Sequence, residues 1–224
     1  TLVNHLPMPT TVHWHGVRRE NRFDGVPDLS QPPVLPGESF TYTLRFPDAG
    51  VFWYHPHVRE DIQQDLGLYG NIQVDDGEEK VRREHLILDD ILVDEAGLVP
   101  YGAETPTHAA MGRFGNTLLV NGEPRWQARA RPNERVRLVL TNVANTRTFN
   151  LSFDGVVMTA VGSDLGRFNA PATIESAVIA PAERYIVDVS FPKPGRYPLV
   201  NRVRAIDHLF GRFFQVTDTL GVVE

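Results

Sequence analysis

Apolar residues that recur at every second position, in short runs closed by turn residues, commit this chain to sheet. Between Ser39 and Phe46 the inward set is Phe40, Tyr42 and Leu44, and between Glu134 and Thr141 it is Val136, Leu138 and Leu140. Successive side chains of a strand point to opposite faces, so this spacing buries one face and wets the other. Further runs rich in β-branched and aromatic residues stand at 51–55, 69–74, 85–88, 117–120, 148–153, 156–161, 173–179, 184–191 and 196–200. Turn pairs such as Pro36-Gly37, Asn121-Gly122, Asp154-Gly155 and Pro194-Gly195 punctuate the series. Many short strands with such turns predict sandwich or barrel units. A helix is expected only around 59–66. The stretch 94–115 has little periodicity and reads as a long loop with room for a helical turn.

At 224 residues the chain has the length of two ordinary domains. The polar, unpatterned segment Asp75-Asp76-Gly77-Glu78-Glu79-Lys80 separates a strand ending at Val74 from one opening near His85, which sets the expected domains at 1–76 and 77–224. A net charge of −6, with arginines scattered among acidic residues, excludes a nucleic-acid partner, which needs a basic face. The apolar runs are too short to cross a bilayer, so membrane insertion is excluded as well. Cysteine is absent. That rules out disulfides, thiolate nucleophiles and thiolate-ligated metal within these residues. The first residues carry neither an initiator methionine nor a basic-then-apolar leader, so the natural N-terminus and any signal peptide are expected to lie elsewhere.

Two histidine pairs carry the chemistry: His13-Trp14-His15 and His55-Pro56-His57. Residues two apart in a strand share a face, roughly 7 Å apart at the backbone, so each pair sends two imidazoles in one direction. That is metal-ligand geometry. Neutral imidazole suits copper, zinc, iron and nickel, and the spacing leaves open whether a pair shares one ion or splits between two. Trp14 must point away from both histidines, and Pro56, which lacks a ladder donor, belongs at a strand end. His5, His85, His108 and His208 lie outside any pair and read as loop or strand-end residues. Phe52-Trp53-Tyr54 reads as core and 202–204 as a solvated face.

The string His13-Trp14-His15-Gly16 is followed by Asp24-Gly25-Val26-Pro27, Leu35-Pro36-Gly37-Glu38 and Gly50-Val51-Phe52-Trp53-Tyr54-His55-Pro56-His57. Together these resemble the first two copper-binding segments of multicopper oxidases, a family that includes laccases and bacterial cuprous or metal oxidases. Gln63 to Gly70 continues as bacterial members do, and Leu119-Val120-Asn121-Gly122, Thr146 to Leu151 and Ala180 to Tyr185 are similar to their second domain. The resemblance implies an all-β chain of two cupredoxin-like Greek-key β-sandwich domains, the first truncated at its N-terminus and the second metal-free. It makes His13 a ligand of a type 2 copper, His15 and His55 ligands of one type 3 copper, and His57 a ligand of the other. Asp24 matches a carboxylate that helps move protons to the cluster; it also reads as the turn residue of an Asp-Gly pair.

The same resemblance implies dioxygen as oxidant, a phenolic or metal-ion reductant, and a periplasmic or secreted location. This sequence departs from the family in lacking the late His-Cys-His segment, so half of the cluster ligands and all type 1 copper ligands are missing from it. A third cupredoxin domain or a complementing chain must supply them, and the chain alone is expected to be inactive. The alternative is a non-catalytic copper-binding or structural cupredoxin-like protein.

Overall fold

The structure, a computed structural model, describes every residue except 76, 78–80, 103, 104 and 208. The described chain forms two compact units: Thr1–Glu78 with Asp164–Gly166, and Glu79–Ser163 with Arg167–Glu224. The boundary read from the sequence falls at 76, which, like 78–80, lies outside the described residues.

The first unit contains β1 (Leu2–Val3), β2 (His13–His15), β3 (Ser39–Phe40), β4 (Gly50–His55), α1 (Glu60–Gln63) and β5 (Gly70–Val74). Strands β2, β4 and β5 form one antiparallel sheet with β4 central. Both faces of β4 are covered, and Val51, Phe52 and Trp53 are almost inaccessible. Burying each such side chain contributes about 1.5–3 kcal/mol. The strand expected over 39–46 is confined to Ser39–Phe40. Its partner is β1, with Leu2 opposite Phe40 and Val3 opposite Ser39 in antiparallel register. Around the sheet the chain is held by side chains. Asn4 Nδ2 donates to the Met8 and Val34 carbonyls, while the buried Gln63 donates to the Pro9 carbonyl and accepts from Thr10 Oγ1 at 2.6 Å. The Gln63 bonds moor α1, which is shorter than the helix expected over 59–66, to the segment entering β2.

The second unit holds β6 (Arg82–Ile91), β7 (Val93–Asp94), β8 (Gly97–Leu98), α2 (Thr105–Met111), β9 (Thr117–Val120), β10 (Trp126–Ala128), β11 (Arg135–Asn142), β12 (Phe149–Phe153), β13 (Met158–Ser163), β14 (Arg167–Ile174), β15 (Ala177–Ile179), β16 (Arg184–Ser190), β17 (Tyr197–Asp207) and β18 (Arg212–Val223). Six strands run β14-β13-β16-β11-β6-β9 in one sheet, and five run β10-β18-β17-β12-β15 in the other. The core joins Leu86, Leu88, Leu138 and Leu140 of the first sheet to Phe149, Leu151, Phe153 and Leu199 of the second. Parallel pairing of β6 with β11, and of β10 with β18, is where long connections return to the sheet edge or centre.

Two expected strands changed shape. The run 173–179 is split: β14 closes at Ile174 in the six-stranded sheet and β15 opens at Ala177 in the other, so the chain changes sheets at Glu175-Ser176. The strand expected at 196–200 extends to Asp207 because β18 pairs with it along its whole length. The edge strand β14 is exposed up to its last residue, which removes the apolar alternation, and it carries Pro171 where an edge tolerates a missing donor.

The return of the 94–115 stretch is pinned by a buried ion pair. Arg147 Nε donates to Asp90 Oδ2 at 2.7 Å, Arg147 Nη2 donates to the Gly115 carbonyl, and the Gly115 amide donates to the same Asp90 oxygen. A Cβ on Gly115 would collide with the Ile91 and Asp90 backbone, so only glycine lets the loop come this close.

Candidate metal centre

The cross-strand register assembles the histidines. His13 of β2 lies opposite His55 of β4, and His15 lies opposite Trp53. Period two then puts His13, His15, Trp53 and His55 on one face of the sheet. Strand β4 ends at His55, and the turn through Pro56 folds His57 back so that its ring centroid is 4.5 Å from that of His13 and 4.9 Å from that of His55. His13 stands 5.6 Å from His15 and 5.3 Å from His55 by the same measure. The potential ligand atoms of His13, His15 and His55 lie within 4.8 Å of one another, as do those of His55, His57 and Glu60. These are the only such groups among the described residues. His55 belongs to both.

Hydrogen bonds choose which ring nitrogen faces the centre. His55 Nδ1 donates to the Pro56 carbonyl at 3.0 Å, and its Nε2 is buried with no hydrogen-bond partner among the described residues. His13 Nδ1 is 2.8 Å from the Asp24 carbonyl and 3.3 Å from Asp24 Oδ1. The carbonyl accepts from Nδ1, which places the proton there and leaves Nε2 a lone pair, with the Asp24 carboxylate alongside. Arg19 Nη2, 3.0 Å from the same Nδ1, is a donor only and makes no bond to a protonated nitrogen. Its partner is the Asp24 carboxylate. On the other side, Glu60 Oε2 approaches His57 Nδ1 at 3.3 Å. The Asp24-Gly25 turn lies hard against the start of β2: Gly25 has φ +74°, and a Cβ there would meet the Val12 carbonyl.

Stacking supplies the wall. The Trp53 indole lies over His55 with centroids 4.2 Å apart and planes 18° from parallel, and over His15 at 5.0 Å and 30°. Trp14 projects from the other face, against Tyr42 and Tyr54.

The enclosure has an electrostatic consequence. Burial, then the charges of His57 and Arg19, push the His13 pKa down to about 3. Burial and the neighbouring His13, His57 and His15 push His55 down to about 3, against the opposing bond to the Pro56 carbonyl. Both rings are therefore neutral ligands throughout the physiological range. Below the unfolded value near 6.5, the unfolded chain takes up protons that the folded chain refuses. Stability is thus complete above pH 6.5 and is lost as pH falls toward 3, by up to about 1.4 kcal/mol per pH unit for each histidine. Urea midpoints of the metal-free chain should fall between pH 7 and 4.5, and fall less in His13→Gln/His55→Gln. A parallel decline in both proteins would remove these histidines as the cause.

The four paired histidines and Asp24 are brought together; His5, His85 and His108 take no part in either group, and His208 lies outside the described residues. Phe52 and Trp53 are core, but Trp53 also lines the site while Tyr54 is partly exposed. Arg202 pairs with Asp154, and Arg204 lies over Phe213. Sequence reasoning missed Arg19 and Glu60. The spacing of three between His57 and Glu60 was a usable signal for the second; the first had none.

A multicopper oxidase family model matches residues 1–79, and a second multicopper oxidase model matches residues 87–219. The chain belongs to the multicopper oxidase family. Among curated relatives, the multicopper oxidase MmcO of Mycobacterium tuberculosis is 33% identical over 231 residues, covering 89% of this chain and 45% of its own length. Copper resistance protein A of Escherichia coli is 28% identical, covering 83% of this chain and 38% of its own. A multicopper oxidase structure from Pseudomonas thermotolerans superimposes with TM-score 0.84 at 32% identity, over 99% of this chain and 52% of that one. One from Campylobacter jejuni, a metallo-oxidase, gives 0.87 at 27% identity, over 99% and 47%. The chain thus spans about half the length of the proteins it matches, and its fold is the cupredoxin-like all-β fold of this family.

Membership implies copper, and the residues fit it. The donors are imidazoles, which suit copper; two of them are held neutral, and the buried, partnerless Nε2 of His55 is an acceptor that a metal would satisfy.

Proposed function

We propose that this chain supplies half of the ligands of a trinuclear copper centre in a larger multicopper oxidase. That oxidase takes electrons singly from phenols or metal ions and reduces dioxygen to water. The observation that carries the reading is the convergence of His13, His15 and His55 on one face of a single sheet, with His57 returned to them by the turn through Pro56. His13 is assigned to the type 2 copper, His15 and His55 to one type 3 copper and His57 to the other. Copper held there supplies one-electron redox chemistry and, through several metals together, four electrons for dioxygen. The chain's own residues make this possible. His13 and His55 offer Nε2 without first losing a proton, Trp53 walls the histidines, and Glu60 orients His57. Asp24, half-buried beside His13, is placed to pass protons between solvent and the centre.

With no cysteine in its 224 residues, the chain requires a third cupredoxin domain or a complementing chain to provide the type 1 thiolate and the remaining imidazoles. The proposed domain limits are 1–76, bearing the ligands, and 77–224, without metal. A periplasmic or secreted location is supported by the copper resistance relatives; no described helix is long and apolar enough to cross a membrane.

The test is copper content, visible absorption and oxygen uptake of the purified chain loaded with Cu(II), beside His13→Ala/His57→Ala. Expected are well under a full trinuclear complement, no intense blue band, no oxygen uptake by the chain alone, and loss of copper in the variant. Copper retained in full by the variant would sink the proposal.

A further inference from the structure

We infer that Arg19 is a positioning residue for the copper ligand His13: its guanidinium clamps Asp24 so that His13 keeps its proton on Nδ1 and presents Nε2. The inference rests on the copper reading above and concerns a residue between the two halves of the His13–Asp24 contact.

The geometry is a closed ring of contacts. Arg19 Nη1 donates to the carbonyls of Trp14, at 2.6 Å, and Val17. Trp14 is the residue between the two histidines of β2, so this end of the guanidinium grips the strand itself. Arg19 Nη2 holds Asp24 Oδ1. Asp24 in turn accepts from His13 Nδ1 at its carbonyl, 2.8 Å away, with its Oδ1 3.3 Å from the same nitrogen. Trp14, Arg19, Asp24 and His13 are thus linked in a loop that fixes the ring plane of one ligand relative to the strand carrying the next.

The chemistry of the side chain matters. Only a planar fork reaches carbonyls on one edge and a carboxylate on the other; an ammonium is a point donor. The Arg19 side chain is 7% exposed, so water competes little for these contacts. Its Nε is buried and has no hydrogen-bond partner among the described residues. Partners that orient a metal-bound imidazole generally change metal affinity by about 10–100-fold when removed. Without Arg19, the Asp24 carboxylate loses its anchor, and His13 is free to exchange tautomers.

Two measurements on the full chain test this. Long-range 1H–15N spectra of the metal-free protein report the His13 tautomer. Expected is the Nδ1–H form in wild type and a mixture of tautomers in Arg19→Gln and in the milder Arg19→Lys. Cu(II) titration with EPR gives the second readout. Expected is about 10-fold or greater loss of affinity in Arg19→Gln with altered copper hyperfine splitting, a smaller loss in Arg19→Lys, and no added loss when Asp24→Asn is combined with Arg19→Gln. In a His13→Ala background, Arg19→Gln should leave the residual copper affinity unchanged.

An Nε2–H tautomer in wild type overturns the inference. So does an unchanged tautomer, affinity and EPR spectrum in both Arg19 variants, or an equal affinity loss with and without His13, which marks a general brace. If wild type binds no histidine-dependent copper while the tautomer responds to Arg19, the copper reading fails and the clamp stands as a structural contact only.

Discussion

Replacing His55 by leucine is expected to lower copper affinity by about 100-fold or more, equivalent to about 3 kcal/mol, while making the metal-free chain more resistant to acid. The two effects have one cause. His55 is the most buried of the four histidines and belongs to both groups of candidate ligand atoms, so its loss weakens both at once. In the metal-free chain the same residue is a liability. Its Nε2 is buried without a partner among the described residues and its pKa is held down to about 3, so acid works against the folded form. Leucine of comparable bulk keeps contact with Trp53 and removes the unsatisfied acceptor. Copper titration checks the first effect and urea midpoints at pH 7 and 4.5 check the second. Affinity within about threefold of wild type, or a variant less stable than wild type at pH 4.5, would show that His55 is core and nothing more.

Arg147→Met should destabilise the second unit by about 3–5 kcal/mol, because it leaves the Asp90 carboxylate buried without its counter-charge. The Gly115 amide alone remains to satisfy it, and the loop returning to β9 loses the anchor on the Gly115 carbonyl. For a unit of this size the loss corresponds to roughly 10 °C in melting temperature. Hydrogen exchange at the Asn116 and Gly115 amides should accelerate with it. Asp90→Asn/Arg147→Met removes both charges and should recover part of the loss. A single variant within about 1 kcal/mol of wild type would mean that the pair is solvated enough to be dispensable.

The legible parts of this protein are those written at short range. Alternation through Val136, Leu138 and Leu140 marks β11 because each of those side chains meets the opposite sheet. Strand β14 was hidden because its side chains are exposed as far as Thr173 and no alternation is selected. The split of 173–179 was hidden for a different reason: apolar residues continue through the point where the chain leaves one sheet for the other, so the pattern has no gap at Glu175-Ser176.

The site divides along the same line. Spacing of two on a strand is a local property, so it follows from the residue order that His13 and His15 share a direction, and the motifs around them pointed to the family and to copper. Tertiary structure alone decided that His13 faces His55, that the Pro56 turn returns His57 to the same point, and that His55 Nε2 is sealed from water. It also decided which residues orient the ligands. Arg19 and Asp24 meet at His13 through a loop whose course is set by the Gly25 turn against Val12, and no periodicity encodes a contact of that kind. Local pattern specifies which face a side chain takes; the register between distant strands, set by the sum of packing and hydrogen bonds, specifies what it finds there.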